Sequence, residues 1–147
     1  MDYYINNNGV NTLLVGNGGY ATIQEAVDAA DPGDTILVAA GTYNENVVID
    51  KSDITLLSID GAETTIIDGI SGIGQLGTIQ LASGTANVTV GAIGQGFTVL
   101  GLNGNGANEN AAVYMVGASH TGHVFQGNTI TARGDAGLQS DFGGAVT

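Results

Sequence analysis

Short β-rich runs return along this chain at nearly constant spacing, and that recurrence restricts the fold more than any single motif does. Runs starting at Ile54, Val88 and His123 lie 34 and 35 residues apart, those at Thr65, Phe97 and Thr129 lie 32 apart, and those at Thr78 and Ala112 lie 34 apart. Three strands in each repeat of about 33 residues match one turn of a three-sided coil, in which every strand stacks on its equivalent one turn later. Asp53 and Asn87 precede equivalent runs, as do Thr64 and Asn128, and small polar residues tolerate the sharp corners that a coil needs.

Twenty-five glycines against one proline raise the alternative of a low-complexity, disordered chain. The apolar runs argue against it, because they continue down the chain with Gly, Asn, Asp and Ser clusters between them. A β-sandwich or jelly roll also uses short strands at regular spacing. Two features disfavour it. Thr35–Ala39 and Ala112–Val116 are nearly continuous apolar runs, as strands covered on both faces are, and the Asn-Gly hairpin signals fall mostly outside the joins between strands.

The segment from Ala21 to Tyr43 specifies how such a coil would begin. Thr22-Ile-Gln-Glu25 has the form of a capping box, with the Thr22 hydroxyl accepting from the Glu25 amide and the Glu25 carboxylate reaching back to the Thr22 amide. Ile23, Ala26, Val27 and Ala30 recur at helical spacing while Gln24, Glu25 and Asp28 face outward. A helix over about 22–31 is predicted, stopped by Pro32-Gly33, with a buried strand over Thr35–Ala39. Tyr3-Tyr-Ile5 and Thr12–Val15 read as a strand pair ahead of the helix.

This helix, turn and strand resemble the N-terminal cap and first coil of the pectin-lyase-like superfamily, which includes pectin methylesterases, polysaccharide lyases and bacterial surface proteins. The resemblance covers Gly18 to Gly69, and the remainder follows it in rhythm. It implies an all-β fold, a right-handed single-stranded parallel β-helix with an N-terminal capping helix. One domain is expected over 1–147, with the cap at 1–33 and coils of about 33 residues, three strands each, over 34–147. Phe142–Thr147 falls inside what reads as the next coil, so the chain is expected to be the N-terminal part of a longer protein, with further coils beyond Thr147.

Charge bounds the partners. Fourteen acidic residues against two basic ones give a net charge of −12; Lys51 and Arg133 stand alone, so the clustered cations that nucleic acid requires are absent. A polyanionic sugar would be repelled at long range unless cations bridged it. Lacking cysteine, the chain has no disulfide or thiolate metal site. Residues 1–20 carry no signal-peptide pattern and no run reaches membrane-spanning length. Low lysine, abundant Gly, Asn and Thr, and a pI near 4.1 are typical of bacterial extracellular repeat proteins, which points to a secreted or cell-surface location.

Candidate chemistry is sparse. Asp135 and Asp141 flank a segment that also follows the only arginine, Arg133; an Arg beside an Asp can lower its pKa and orient it as nucleophile or base. A surface ion pair or an Asp turn cap explains the same residues more simply. Asp135 is the catalytic candidate, and Tyr114, Arg133 and Asp141 are the binding candidates. Resemblance to pectin methylesterases implies a Gln-Ala-Val motif followed on the next coil by Gln-Asp. Here Ala111-Ala-Val113 and Gly134-Asp135 stand at those places, so both glutamines are missing and only Asp135 matches. Tyr43 reads as packing over the first coil, and Tyr114 could point either way.

His120 and His123, separated by Thr121-Gly122, lack a third ligand and read as a solvated turn. No cofactor is expected. Calcium is the one option, at Asp28, Asp31 and Asp34 around Pro32-Gly33; no calcium-loop motif supports it, and helix-end solvation explains those aspartates equally well. Gly16-Asn-Gly-Gly19 reads as a tight turn. The function these features point to is an extracellular bacterial module, a structural, adhesive or glycan-contacting scaffold that displays loops such as Gly101–Ala111. The alternative is the N-terminal portion of a carbohydrate-active enzyme, of pectinesterase, lyase or epimerase type, with its catalytic residues downstream. Polysaccharide or a cell-surface glycan is the partner either way.

Overall fold

A computed structural model of the chain describes residues 4–7, 9–72, 74–102, 111–133 and 138–140. An antiparallel pair comes first, β1 (Tyr4–Asn7) and β2 (Val10–Val15), and α1 (Ile23–Ala29) follows. Four turns of coil succeed it. They comprise β3 (Thr35–Val38), β4 (Gly41–Tyr43) and β5 (Val47–Ile49); β6 (Thr55–Ser58), β7 (Thr65–Asp68) and β8 (Gly77–Leu81); β9 (Thr89–Val90), β10 (Thr98–Leu100) and β11 (Ala111–Met115); and β12 (Val124–Phe125), β13 (Thr129–Thr131) and β14 (Leu138–Ser140).

Equivalent strands pair in parallel to make three sheets, ordered β1-β2-β3-β6-β9-β12, β4-β7-β10-β13 and β5-β8-β11-β14. Among the described residues the β1–β2 pair alone is antiparallel, which removes the sandwich. Ile36, Leu56 and Val90 from the first sheet, Ile67 and Val99 from the second, and Ile49, Ile79, Leu81 and Val113 from the third fill the interior. Successive side chains on a strand face opposite ways, so each strand gives the core every second residue.

Four of the sequence spacings hold to the residue: Thr55 pairs with Thr89, Thr89 with Val124, Ile66 with Thr98, and Ile79 with Val113. Thr129 is a correction. It lies opposite Thr98 rather than Phe97, one residue from the expected register. The slip places Ile130 behind Val99 and Ile67, where it packs against the core; the other register would turn Ile130 outward and Thr129 and Thr131 inward. Uniform coils of about 33 residues are also corrected, because the first turn takes only 20 residues from Thr35 to Thr55. Its second side is β4, at Gly41–Tyr43, where the sequence suggested only a packing tyrosine.

The corner before the first sheet is built on one repeated backbone state. Gly33, Asp53, Asn87 and Gly122 each lie two residues before their strand and have φ of 99°, 60°, 55° and 69°. Glycine reaches this left-handed region freely and Asn or Asp reaches it at modest cost. The four stack. Gly33 N donates to Asp53 O at 2.8 Å, Asp53 N to Ala86 O at 3.0 Å, and Asn87 N to Thr121 O at 2.9 Å, while Asn87 Nδ2 donates to Asp53 Oδ1 at 3.0 Å.

The capping helix is held at both ends by the first turn of coil. Thr22 is the N-cap and the capping box forms as the sequence implies. The Glu45 carboxylate accepts from Ile23 N at 2.8 Å and Gln24 N at 3.0 Å, so the first amides, which have no partner inside a helix, are satisfied. At the other end, Lys51 Nζ donates to the carbonyls of Val27, Asp28 and Ala30 at 3.0, 2.7 and 2.8 Å. A carboxylate at the N-terminus and an ammonium at the C-terminus also oppose the helix dipole correctly. Between them, the Gln24 side chain behaves as a strand partner: Val48 N donates to Gln24 Oε1 at 2.7 Å, and Gln24 Nε2 donates to Val48 O at 3.1 Å. It covers the open edge of β5, the first strand of its sheet.

Candidate functional site

On the third sheet every residue of β8 and β11 is buried, so these two strands are covered on their outer faces as well as their inner ones, while Val48 on the edge strand β5 is exposed. Ile79 and Leu81 enter the core and Gln80 between them faces outward by alternation. Register brings Val48, Gln80, Tyr114 and Gln139 into one column across the four turns. Gln80 Nε2 donates to Gln75 Oε1 at 3.2 Å, and Asn46 Nδ2 donates to the same oxygen at 3.0 Å and to Ile70 O at 2.7 Å. Ile70 N returns a bond to Asn46 Oδ1 at 2.8 Å, so the segment before β8 is pinned by carboxamides. Asn46 and Gln75, half-buried, with buried Gln80 behind them, form a neutral set of donors and acceptors whose outer members suit hydroxyl-rich ligands. A nucleophile or general base is not among these described residues.

The candidates from the sequence separate. Tyr114 belongs to this face and is only 1% exposed. Arg133 lies past β13, where Nη1 meets Asp68 Oδ1 at 2.6 Å and Nη2 meets Oδ2 at 3.4 Å. Asp68 ends β7 and shares a register column with Leu100 and Thr131, so the bidentate pair spans two turns of the coil. This is the surface ion pair that the sequence offered as the simpler reading of Arg133, with a partner 65 positions away. Asp135 and Asp141 lie outside the described residues, as does most of the loop from Gly101 to Ala111. Gln80 was missed by sequence reasoning; the signal was a glutamine one turn before Tyr114, visible only once the register is known.

The remaining polar clusters are engaged in the fold. Asp34 is buried and accepts from Asn11 N at 2.7 Å and Asp31 N at 2.9 Å, and Asp28 accepts from Gln24 Nε2 at 2.7 Å. Among the described residues no group of three or more His, Cys, Asp or Glu could hold a metal ion, and no helix is long and apolar enough to cross a membrane. Gly16–Gly19 closes as a tight turn, Gly19 N to Gly16 O at 2.8 Å. Tyr43 donates its hydroxyl to Ala39 O at 2.8 Å; burial, then the neighbouring Glu45 charge, raises its pKa. His120 and His123 correct the solvated-turn reading: both are half-buried and joined, Nδ1 to Nε2, at 3.2 Å.

Three parallel sheets wound on one coil, a capping helix and a covered outer face on β8 and β11 define a pectin-lyase-like parallel β-helix. Over residues 11–139 the chain matches the family model described as Pectinesterase. It belongs to the pectinesterase family. A probable pectinesterase/pectinesterase inhibitor 17 of Arabidopsis thaliana is 36% identical over 116 residues, which cover 76% of this chain and 22% of that protein. A second Arabidopsis thaliana protein, probable pectinesterase/pectinesterase inhibitor 6, is 44% identical over 61 residues, 37% of this chain and 11% of its own length. The chain therefore spans about a fifth or less of the curated relatives it matches.

These comparisons favour the carbohydrate-active alternative and lend no support to a bacterial adhesive scaffold, since both relatives are plant proteins with pectinesterase names. Structure adds a detail to the motif match. Ala111, at the place of the first expected glutamine, opens β11 opposite Gly77, so no carboxamide is supplied there.

Proposed function

We propose that this chain is a polysaccharide-contacting β-helical unit of a carbohydrate-active protein of the pectinesterase type, with pectin as its ligand, working outside the cell, and with the reacting groups supplied by further polypeptide. The observation that carries this reading is the half-buried carboxamide pair Asn46 and Gln75 at the outer face of the third sheet, held from behind by buried Gln80, combined with Ala111 standing where the motif calls for its first glutamine. Carboxamides bind sugar hydroxyls without adding charge to a chain that already carries −12. Residues 1–147 act as one β-helical domain in this proposal, and Arg133 braces the coil through Asp68 while Asp135 and Asp141 remain candidates for contact.

Incubation of the whole chain with highly methyl-esterified pectin tests it, with binding read by calorimetry and methanol release read separately. Binding without methanol release is expected, weakened several-fold by Gln80→Ala. Methanol release that disappears in Asp135→Asn would place the chemistry in this chain and overturn the division of labour. Absence of binding to every pectin tried would overturn the proposal as a whole.

A further inference from the structure

We propose that His120 and His123 form a pH-gated latch between the third and fourth turns of the coil, closed while both rings are neutral and released when either is protonated. The two ends of their hydrogen-bond chain are backbone groups that cannot change role. Val88 N donates to His123 Nδ1 at 3.2 Å, so that nitrogen must be bare and the ring proton must sit on Nε2. His123 Nε2 then donates to His120 Nδ1 at 3.2 Å. His120 Nδ1 is therefore bare too, and its own Nε2 proton goes to Val116 O at 3.0 Å. One tautomer of each ring satisfies every position.

A proton added to His123 has only Nδ1 to occupy, where it would face the Val88 amide hydrogen. A proton added to His120 would face His123 Nε2–H. Either event sets donor against donor, and protonation of His123 also leaves the amide of buried Val88 without its acceptor, a costly state inside a protein. His123 immediately precedes β12, and Val124 N bonds Val88 O at 2.9 Å beside it, so the latch fastens the β9–β12 edge of the first sheet. The same donor pattern argues against a metal at the pair, because coordination through His123 Nε2 would move its proton onto Nδ1.

The surroundings favour the neutral state. Val88 presents its amide to His123, and Val116 at the end of β11 presents its carbonyl to His120; Thr85 Oγ1 stands 3.4 Å from His120 Nδ1 but gives its proton to Ala82 O at 2.8 Å. The corner carboxylate, Asp53, is turned to Asn87. Among the described residues no ionised side chain hydrogen-bonds either ring. Burial, and then the charge of His120, lower the His123 pKa below 6.5, with the Thr85 backbone opposing them. Because the unfolded ring takes its proton first as pH falls, the latch contributes stability above the ordinary histidine range and loses it on acidification through that range and below.

The chain has only two histidines, so long-range proton–nitrogen NMR of the whole protein reads both rings directly. The expected spectra show Nε2–H on both rings at pH 7.5, titration of His123 below that of free imidazole, and faster Val88 amide exchange at pH 5.5 after correction for its intrinsic rate. Melting temperature should fall by a few degrees between those pH values, and His123→Asn, whose side-chain oxygen can accept from Val88 N, should flatten that slope. His123 protonated on Nδ1 at neutral pH, His123 titrating at or above the free value, or an unchanged slope in a folded His123→Asn would overturn the latch. If the variant does not fold, the wild-type tautomers decide.

Discussion

Replacing Lys51 by methionine keeps the aliphatic stem of the side chain and deletes the three bonds that its ammonium gives to Val27, Asp28 and Ala30. These carbonyls end α1, where a helix has no amides left to offer them; Val27 O retains the Ala30 amide at 3.3 Å, so two carbonyls depend chiefly on Lys51. Hydrogen bonds to a charged group contribute about 1.5–3 kcal/mol net, and a cation at a helix C-terminus about 0.3–1 kcal/mol. Lys51 is half-buried, so water recovers part of both, and the expected loss is about 2 kcal/mol.

Equilibrium urea unfolding measures it. With a slope of about 1–3 kcal/mol per molar urea, the midpoint should drop by roughly 1 M while the slope stays constant. Glu45→Gln, which leaves one oxygen for the two amides of Ile23 and Gln24, should cost about 1 kcal/mol. The helix of seven residues separates these sites by about 10 Å, so the double variant should be additive within about 0.5 kcal/mol. A loss below about 0.5 kcal/mol for Lys51→Met, the range of an ordinary surface change, would refute the idea that the first coil clamps the cap through its ends.

Two backbone predictions use the same assay. Asn87→Ala should destabilise by about 1–2 kcal/mol because alanine resists the left-handed region that φ of 55° demands, and Asn87→Gly should recover most of the loss. Gly96→Ala should cost more than about 2 kcal/mol, since an added Cβ would stand 1.9 Å from Gly127 O, whereas Gly84→Ala, with open space around it, should show backbone strain alone, about 1 kcal/mol.

Much of the fold is legible because it is written in short windows. The capping box needs four consecutive residues, and Pro32-Gly33 stops the helix close to its end. Most strand starts follow from β-branched runs between turn residues, and repeat spacing alone pairs Thr55 with Thr89 and Thr89 with Val124. β4 escaped notice because Gly41-Thr-Tyr43 has neither length nor alternation to mark it. The site was less legible. Asp135 and Arg133 looked like partners by nearness in sequence, yet Arg133 reaches Asp68 across 65 positions. Tyr114 was noticed as an aromatic residue, but its column with Gln80 depends on register.

By itself, then, the sequence determined most of the strands, the corner residues Asp53 and Asn87, and the capped helix that begins the coil, because each follows from backbone preference and apolar period over a few residues. Tertiary structure alone decided who meets whom: Lys51 with the helix carbonyls, Gln24 with the edge of β5, Arg133 with Asp68, and His123 with the Val88 amide. Stacking coils brings residues 20 to 35 positions apart to within about 5 Å of each other. Turn length varies from one coil to the next, so those meetings, like the one-residue slip that buries Ile130, are settled only when the interior is packed.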